Sequence, residues 1–140
     1  MVLADTSAWV WSRKPAHSEL RAAFDERLEN EEIAICDIVS LELLYSARSA
    51  GEFDRRRDQL SALPQCPIAE PPFRRALDVM QKLAHRSTLE HRAVKFQDLL
   101  IATAAEASSL PMLHYDEDYE RIAAVTGQPV QWLAPKGSLR

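Results

Sequence analysis

The sequence predicts an α/β fold: three layers in α/β/α order around a central, mostly parallel sheet of four to five strands. Short apolar runs of strand length alternate with longer stretches of helical periodicity along all 140 residues. Neither repeats nor a low-complexity linker interrupts this alternation, so residues 1–140 read as one domain. A hydrophobic content of 46% against 27% charged residues provides enough apolar surface for a core between the layers.

The first strand is expected at Val2–Ala4, an apolar run closed by Asp5. Helical spacing then covers roughly 16–29, and a second apolar run, Ile33–Cys36, gives the next strand. Two helical segments follow at about 38–50 and 52–63. A third strand is expected at Cys66–Ala69, short or at an edge, because Pro67 cannot donate to a ladder. Helices at roughly 72–88 and 97–109 lead to strand Met112–Tyr115, and a helix at 117–126 leads to the last strand, Val130–Leu133.

Several chemistries are excluded at once. With three glycines in the chain there is no GxxxxGK[ST] and no GxGxxG, so neither a phosphate-binding P-loop nor a dinucleotide-binding turn is present. Cys36 and Cys66 sit in apolar runs and read as buried thiols, not as a zinc site or disulfide framework. A net charge of −4 argues against gripping nucleic acid by bulk charge, although a bound cation could supply positive charge locally. No apolar run approaches the roughly 20 residues that span a bilayer, and MVLADTSAW lacks the pattern of a signal peptide. A cytoplasmic protein with no membrane partner is the expectation.

Acids recur where α/β sheets collect function, beyond the carboxyl ends of the strands. Asp5-Thr6-Ser7 follows the first strand, Asp37 and Glu42 the second, and Asp116-Glu117-Asp118 the run 112–115, while Asp98 opens the helix at 97–109. Each acid has an ordinary reading as a helix cap or first-turn charge. Two resist it. Glu42 shares a helical face with Ile38, Leu41 and Tyr45, and Asp98 shares one with Ile101, Ala102 and Ala105, so both are expected to look inward. Buried carboxylates are costly unless paired or metal-bound, and clustered ones repel. A hard divalent cation, Mg²⁺ or Mn²⁺, removes both costs and suits phosphodiester hydrolysis. Within the 116–118 turn, Asp116 at the strand tip is expected to join the acids, Asp118 to reach back as an outer-sphere helper, and Glu117 to face solvent.

With these residues in hand, the chain resembles the PIN-domain ribonucleases, in particular the VapC toxins of bacterial toxin–antitoxin pairs. The resemblance rests on D-T-S-A at Asp5–Ala8, E-L-L at Glu42–Leu44, D-L-L-I-A at Asp98–Ala102 and H-Y-D-E-D-Y-E-R-I-A at His114–Ala123, in that order along nearly the whole chain. It implies a PIN-like α/β/α domain and an Mg²⁺-dependent endoribonuclease, with Mn²⁺ as a substitute, leaving 5′-phosphate and 3′-hydroxyl ends. By the same resemblance Asp5, Asp98 and Asp116 are metal ligands. Glu42 and Asp116 complete the acidic cluster, directly or through water, and orient the attacking water. Thr6 or Ser7 would position a carboxylate or phosphate, or simply serve the first helical turn. The implied partners are RNA, a cognate VapB-like antitoxin that covers the active site, and a second copy of the chain in a homodimer or larger toxin–antitoxin assembly.

The helix pair 38–63, carrying Leu43, Leu44, Tyr45, Phe53 and Leu60, reads either as core or as a groove for an antitoxin helix. Trp9 and Trp11 read as core or interface residues, with base stacking as the competing role. Arg55–Arg57, Arg74-Arg75 and the 85–95 basic stretch read as solvated faces, with Lys95 the one placed near Asp98. His114 reads as buried and hydrogen-bonded. Two other functions compete: a non-catalytic metal- or partner-binding module of the same fold, and an aspartyl-phosphate phosphatase, whose second Asp is replaced here by Ser7.

Overall fold

The computed structural model describes residues 1–140 apart from the side chain of Glu70. Four strands, β1 (Val2–Ala4), β2 (Ile33–Ala34), β3 (Met112–His114) and β4 (Val130–Trp132), form one sheet in the order β2-β1-β3-β4. Every pairing is parallel, with Val2 opposite Ile33, Ala4 opposite Leu113 and Leu113 opposite Gln131. Every residue of β1 and β3 is buried, so both faces of the sheet are covered; this is why these strands are apolar throughout and do not alternate. The α/β/α class and the parallel sheet are as expected, with four strands.

The expected strand at Cys66–Ala69 does not form. Only an isolated bridge joins Ile35 to Gln65, with Cys66 N donating to Ile35 O at 2.8 Å. Pro67 has no N–H to continue that ladder, and the chain leaves the sheet there. Both cysteines are buried as free thiols, and the Cys66 Sγ lies 3.2 Å from Ala104 O.

Seven α-helices surround the sheet: α1 (Thr6–Ser12), α2 (Ser18–Glu29), α3 (Asp37–Tyr45), α4 (Ala50–Ser61), α5 (Glu70–Arg86), α6 (Phe96–Ala107) and α7 (Glu117–Thr126). Helix α1 lies outside the helical segments expected from periodicity. Its sequence TSAWVWS carries no apolar stripe, yet Asp5 caps it and Ala8, Trp9 and Ser12 are buried. The helix expected over 38–50 stops at Tyr45 because Ser49 starts a new one, its Oγ accepting from Glu52 N at 3.1 Å. Helix α6 is buried almost all round between α3, α5 and α7, and its small residues Ala102, Ala104 and Ala105 permit that close packing. Helix α7 ends at Gly127, whose φ of +74° is the left-handed conformation glycine adopts without penalty.

Candidate metal centre

The parallel topology decides which acids meet. Strands β1 and β3 are neighbours, and Asp5 N donates to Leu113 O at 3.0 Å, so both chains leave the sheet side by side. Asp5 caps α1 there, and Asp116 caps α7. The first turn of α6 brings buried Asp98 to the same edge, and the first turn of α7 brings Asp118. One oxygen from each of Asp98, Asp116 and Asp118 lies within 4.8 Å of the others. Asp5 stands beside this trio, close enough that its charge and that of Asp98 repel.

Each of these acids is held by the protein on one oxygen. Asp5 Oδ1 accepts from Ser7 Oγ at 2.7 Å and from Ala8 N at 3.2 Å. Ser7 Oγ also accepts from Tyr115 N at 2.7 Å, so this hydroxyl joins the ends of β1 and β3. Asp116 Oδ1 accepts from Asp118 N at 2.9 Å, and Asp118 Oδ1 from an Arg121 guanidinium nitrogen at 2.7 Å. Asp98 Oδ1 accepts from the Tyr119 hydroxyl at 3.2 Å, while Asp98 Oδ2 is buried without a hydrogen-bond partner among the described residues. Cap and ligand are therefore compatible roles: one oxygen serves the helix and the other remains available.

An unpartnered buried carboxylate oxygen next to two further acids is the donor set a hard divalent cation requires. The electrostatics agree. Burial pushes the Asp5 carboxyl up to about 6, against which its hydrogen bonds from Ser7 and Ala8 work. Asp98 is pushed up to about 7, first by burial and then by Asp116 and Asp5. Asp118 is raised by burial and by Asp116, with Arg121 and Lys95 opposing. Lys95 thus does sit at the acidic mouth, and Arg121 is a second cation there that the sequence reading missed.

These shifts have a defined consequence for metal-free protein. Both carboxyls hold a proton more tightly folded than unfolded, where the value is 3.8, so the folded state binds the extra protons. The stabilising contribution is fully present below 3.8 and is lost as the pH rises through about 6 and about 7. In chelator, the thermal midpoint should fall across this window by more than that of Asp98→Asn. A constant difference between the two proteins from pH 4 to pH 8 would contradict the assignment.

The structure does not bring Glu42 in as expected. Of the stripe Ile38, Leu41, Tyr45 that marked it as inward, only Ile38 packs against the core; Leu41 is 65% and Tyr45 92% exposed, and Glu42 is exposed beside them. It lines a shallow cleft with Ile38, Leu41, Tyr45 and Gln97 and is not in the acid trio. Asp118, expected as an outer helper, is instead one of the trio. Thr6 Oγ1 is buried without a partner among the described residues. Trp9 is core, and half-buried Trp11 packs on Tyr115 at 5.1 Å between ring centres. His114 is fully buried as expected, its Nδ1 accepting from Asp116 N at 3.1 Å. That contact leaves the ring proton on Nε2, 3.2 Å from Glu120 Oε1.

The sequence profile of the PIN domain matches residues 2–125, a span that includes all of these acids. The chain belongs to the PIN domain family. Among curated relatives of this PIN domain, Ribonuclease VapC18 of Mycobacterium tuberculosis is 46% identical over 135 residues, covering 96% of each chain. Ribonuclease VapC51 of the same organism is 42% identical, covering 98% of this chain and 96% of its own. The same fold appears in the crystal structure of DNA-bound VapBC from Salmonella typhimurium, which superposes with a TM-score of 0.70 at 19% identity, over 96% of this chain and 100% of that one. At such identity the likeness concerns fold, and within that fold the PIN domain's acids occupy the carboxyl edge of the sheet.

Proposed function

We propose that this PIN domain is a metal-dependent endoribonuclease, the toxin of a toxin–antitoxin pair, working with Mg²⁺ or in its place Mn²⁺. The observation that carries the reading is Asp98: its Oδ2 is buried and unpartnered among the described residues, and one of its oxygens lies within 4.8 Å of oxygens of Asp116 and Asp118. Curated relatives at 46% and 42% identity over nearly the full chain are named ribonucleases, which supports RNA as the substrate. Asp5, Asp98 and Asp116 hold the cation, and Asp118 assists.

A divalent cation held there supplies charge neutralisation at the scissile phosphate and a lowered pKa for the attacking water. The chain's own residues do the rest. Ser7 and Tyr119 hold Asp5 and Asp98 in place, and a carboxylate of the cluster accepts the proton the water gives up. Lys95 and Arg121 place positive charge where the RNA backbone arrives, in a protein whose net charge is −4. Water oxygen bonds to phosphorus, the bond to the 3′-oxygen breaks, and that oxygen takes a proton, leaving a 3′-hydroxyl and a 5′-phosphate.

Partner binding fits a groove of about 500 Å³ lined by Trp9, Val10, Leu43 and Leu60 together with Arg13 and Arg56. This apolar and basic lining suits an amphipathic antitoxin helix bearing acids. Exposed Leu41, Tyr45 and Phe96 offer apolar surface for self-association into a homodimer. Among the described residues no helix is long and apolar enough to cross a membrane, and the proposed setting is the cytoplasm.

The test is cleavage of structured RNA by purified protein in Mg²⁺, in Mn²⁺ and in chelator. Cutting in either metal and none in chelator is the expected result. Cutting that persists in chelator would overturn the mechanism, and no cutting of any RNA alongside tight antitoxin binding would favour a non-catalytic partner-binding module.

A further inference from the structure

Five donors hold the clustered aspartates, each aspartate on one oxygen, and they are not equivalent. Ser7 Oγ, only partly buried and two residues from Asp5, donates to Asp5 Oδ1. Ala8 N and Asp118 N are helix-start donors that any capping aspartate meets. Arg121 is partly exposed and can move away from Asp118. The Tyr119 phenol is different. It is fully buried, its ring is packed 5.4 Å from that of His114, and its hydroxyl meets Asp98 Oδ1 at 3.2 Å. Burial, with the charges of Asp5 and Asp98, holds this phenol well above the ordinary tyrosine range. No other side chain among the described residues donates to Asp98, and its Oδ2 has no partner.

Packing alone does not require that hydroxyl. Phenylalanine would fill the same space, whereas the phenol adds a hydrogen bond that fixes one oxygen of Asp98. We propose that Tyr119 is the positioning residue of the metal centre. By engaging Asp98 Oδ1 it turns Asp98 Oδ2 toward Asp116 and Asp118, so that Asp98 offers one oxygen and not two. The inference rests on the proposed metal centre and adds its selectivity. With each aspartate restricted to a single free oxygen, the site favours small octahedral cations such as Mg²⁺ and Mn²⁺. Ca²⁺ has more ligands to satisfy and readily takes carboxylates through both oxygens. Freed from Tyr119, Asp98 can rotate and present both.

The test compares Mn²⁺ and Ca²⁺ affinity, by calorimetry on metal-free protein, for wild type, Tyr119→Phe and Asp98→Asn. Wild type is expected to bind Mn²⁺ well ahead of Ca²⁺. Tyr119→Phe should weaken Mn²⁺ by about 10-fold or more, the usual effect of losing a group that orients a ligand. Its Ca²⁺ affinity should change much less, so the preference narrows. Equal weakening of both ions would mark a merely structural role and overturn the proposal, as would unchanged affinity for both. Wild type that binds neither ion, like Asp98→Asn, would instead sink the metal centre itself and this inference with it. Should Tyr119→Phe not fold, 3-fluorotyrosine incorporated into the wild-type chain gives a second reading. The ¹⁹F resonance of residue 119 should move on Mg²⁺ titration and stay still in Asp98→Asn. A wild-type resonance that stays still at saturating Mg²⁺ would overturn the proposal.

Discussion

Asparagine at position 98 should lower RNA cleavage by more than about 100-fold and, in metal-free protein, raise the thermal midpoint. Deleting a residue that merely orients a ligand costs roughly 10–100-fold in affinity or activity, and Asp98 is placed to touch the cation itself. The gain in stability has the same origin as the loss in activity. Asp98 is 7% exposed, its Oδ2 is unpartnered and Asp116 and Asp5 repel it, so its charge is held at a cost to the fold. The neutral amide removes that repulsion, keeps an oxygen for the Tyr119 hydroxyl and removes the strong ligand. Cleavage assays in Mg²⁺ beside calorimetric melts in chelator check both halves. Retained activity, or a lower metal-free midpoint at pH 8, would count against the assignment of Asp98.

Phe24→Ala should destabilise the fold by about 3–5 kcal/mol, the usual range for emptying a buried aromatic site. In a domain of this size that lowers the midpoint by roughly 10–17 °C. Phe24 on α2 is 2% exposed, meets Trp9 edge-on at 5.1 Å, and carries the Arg13 guanidinium 5.5 Å from its ring centre. Trp9 and Arg13 both line the groove assigned to the antitoxin, so partner affinity should fall with stability. Thermal melts and titration of the partner, with Leu83→Ala on distant α5 as a comparison of similar burial, separate the two. Equal partner affinity at matched stability would detach the groove from this packing.

Most of the sheet could be read from the chain because its strands are bounded by sharp signals. Asp5 ends the first run, Pro111 and Asp116 bracket the third, and Pro129 opens the last. Cys66–Ala69 read as a strand from its apolar residues, and the single missing N–H of Pro67 undid it. Helix α1 was missed because a seven-residue helix with two tryptophans shows no period; its cap, Asp5, was the only signal. That Asp5, Asp98 and Asp116 stand at one edge was expected because the strands of a parallel sheet all end on the same side, which alternation of elements makes readable. The strand order that puts β1 beside β3 was not read. Glu42 was misjudged for a physical reason: an apolar stripe looks the same in sequence whether it faces a core or awaits a partner, and Leu41 and Tyr45 face outward. Tyr119 was passed over because an aromatic at helical spacing reads as core, which it also is; only its hydroxyl partner distinguishes it.

The chemistry of the cut ends tests the central claim most directly. Water activated within the aspartate cluster leaves a 5′-phosphate and a 3′-hydroxyl, whereas attack by the RNA's own 2′-hydroxyl leaves a cyclic phosphate and a 5′-hydroxyl without any metal. Mass spectrometry of oligonucleotides cleaved in Mg²⁺ should find only the first pair, and in H₂¹⁸O the label should sit on the 5′-phosphate. Cyclic phosphate ends, or unlabelled 5′-phosphates, would contradict it.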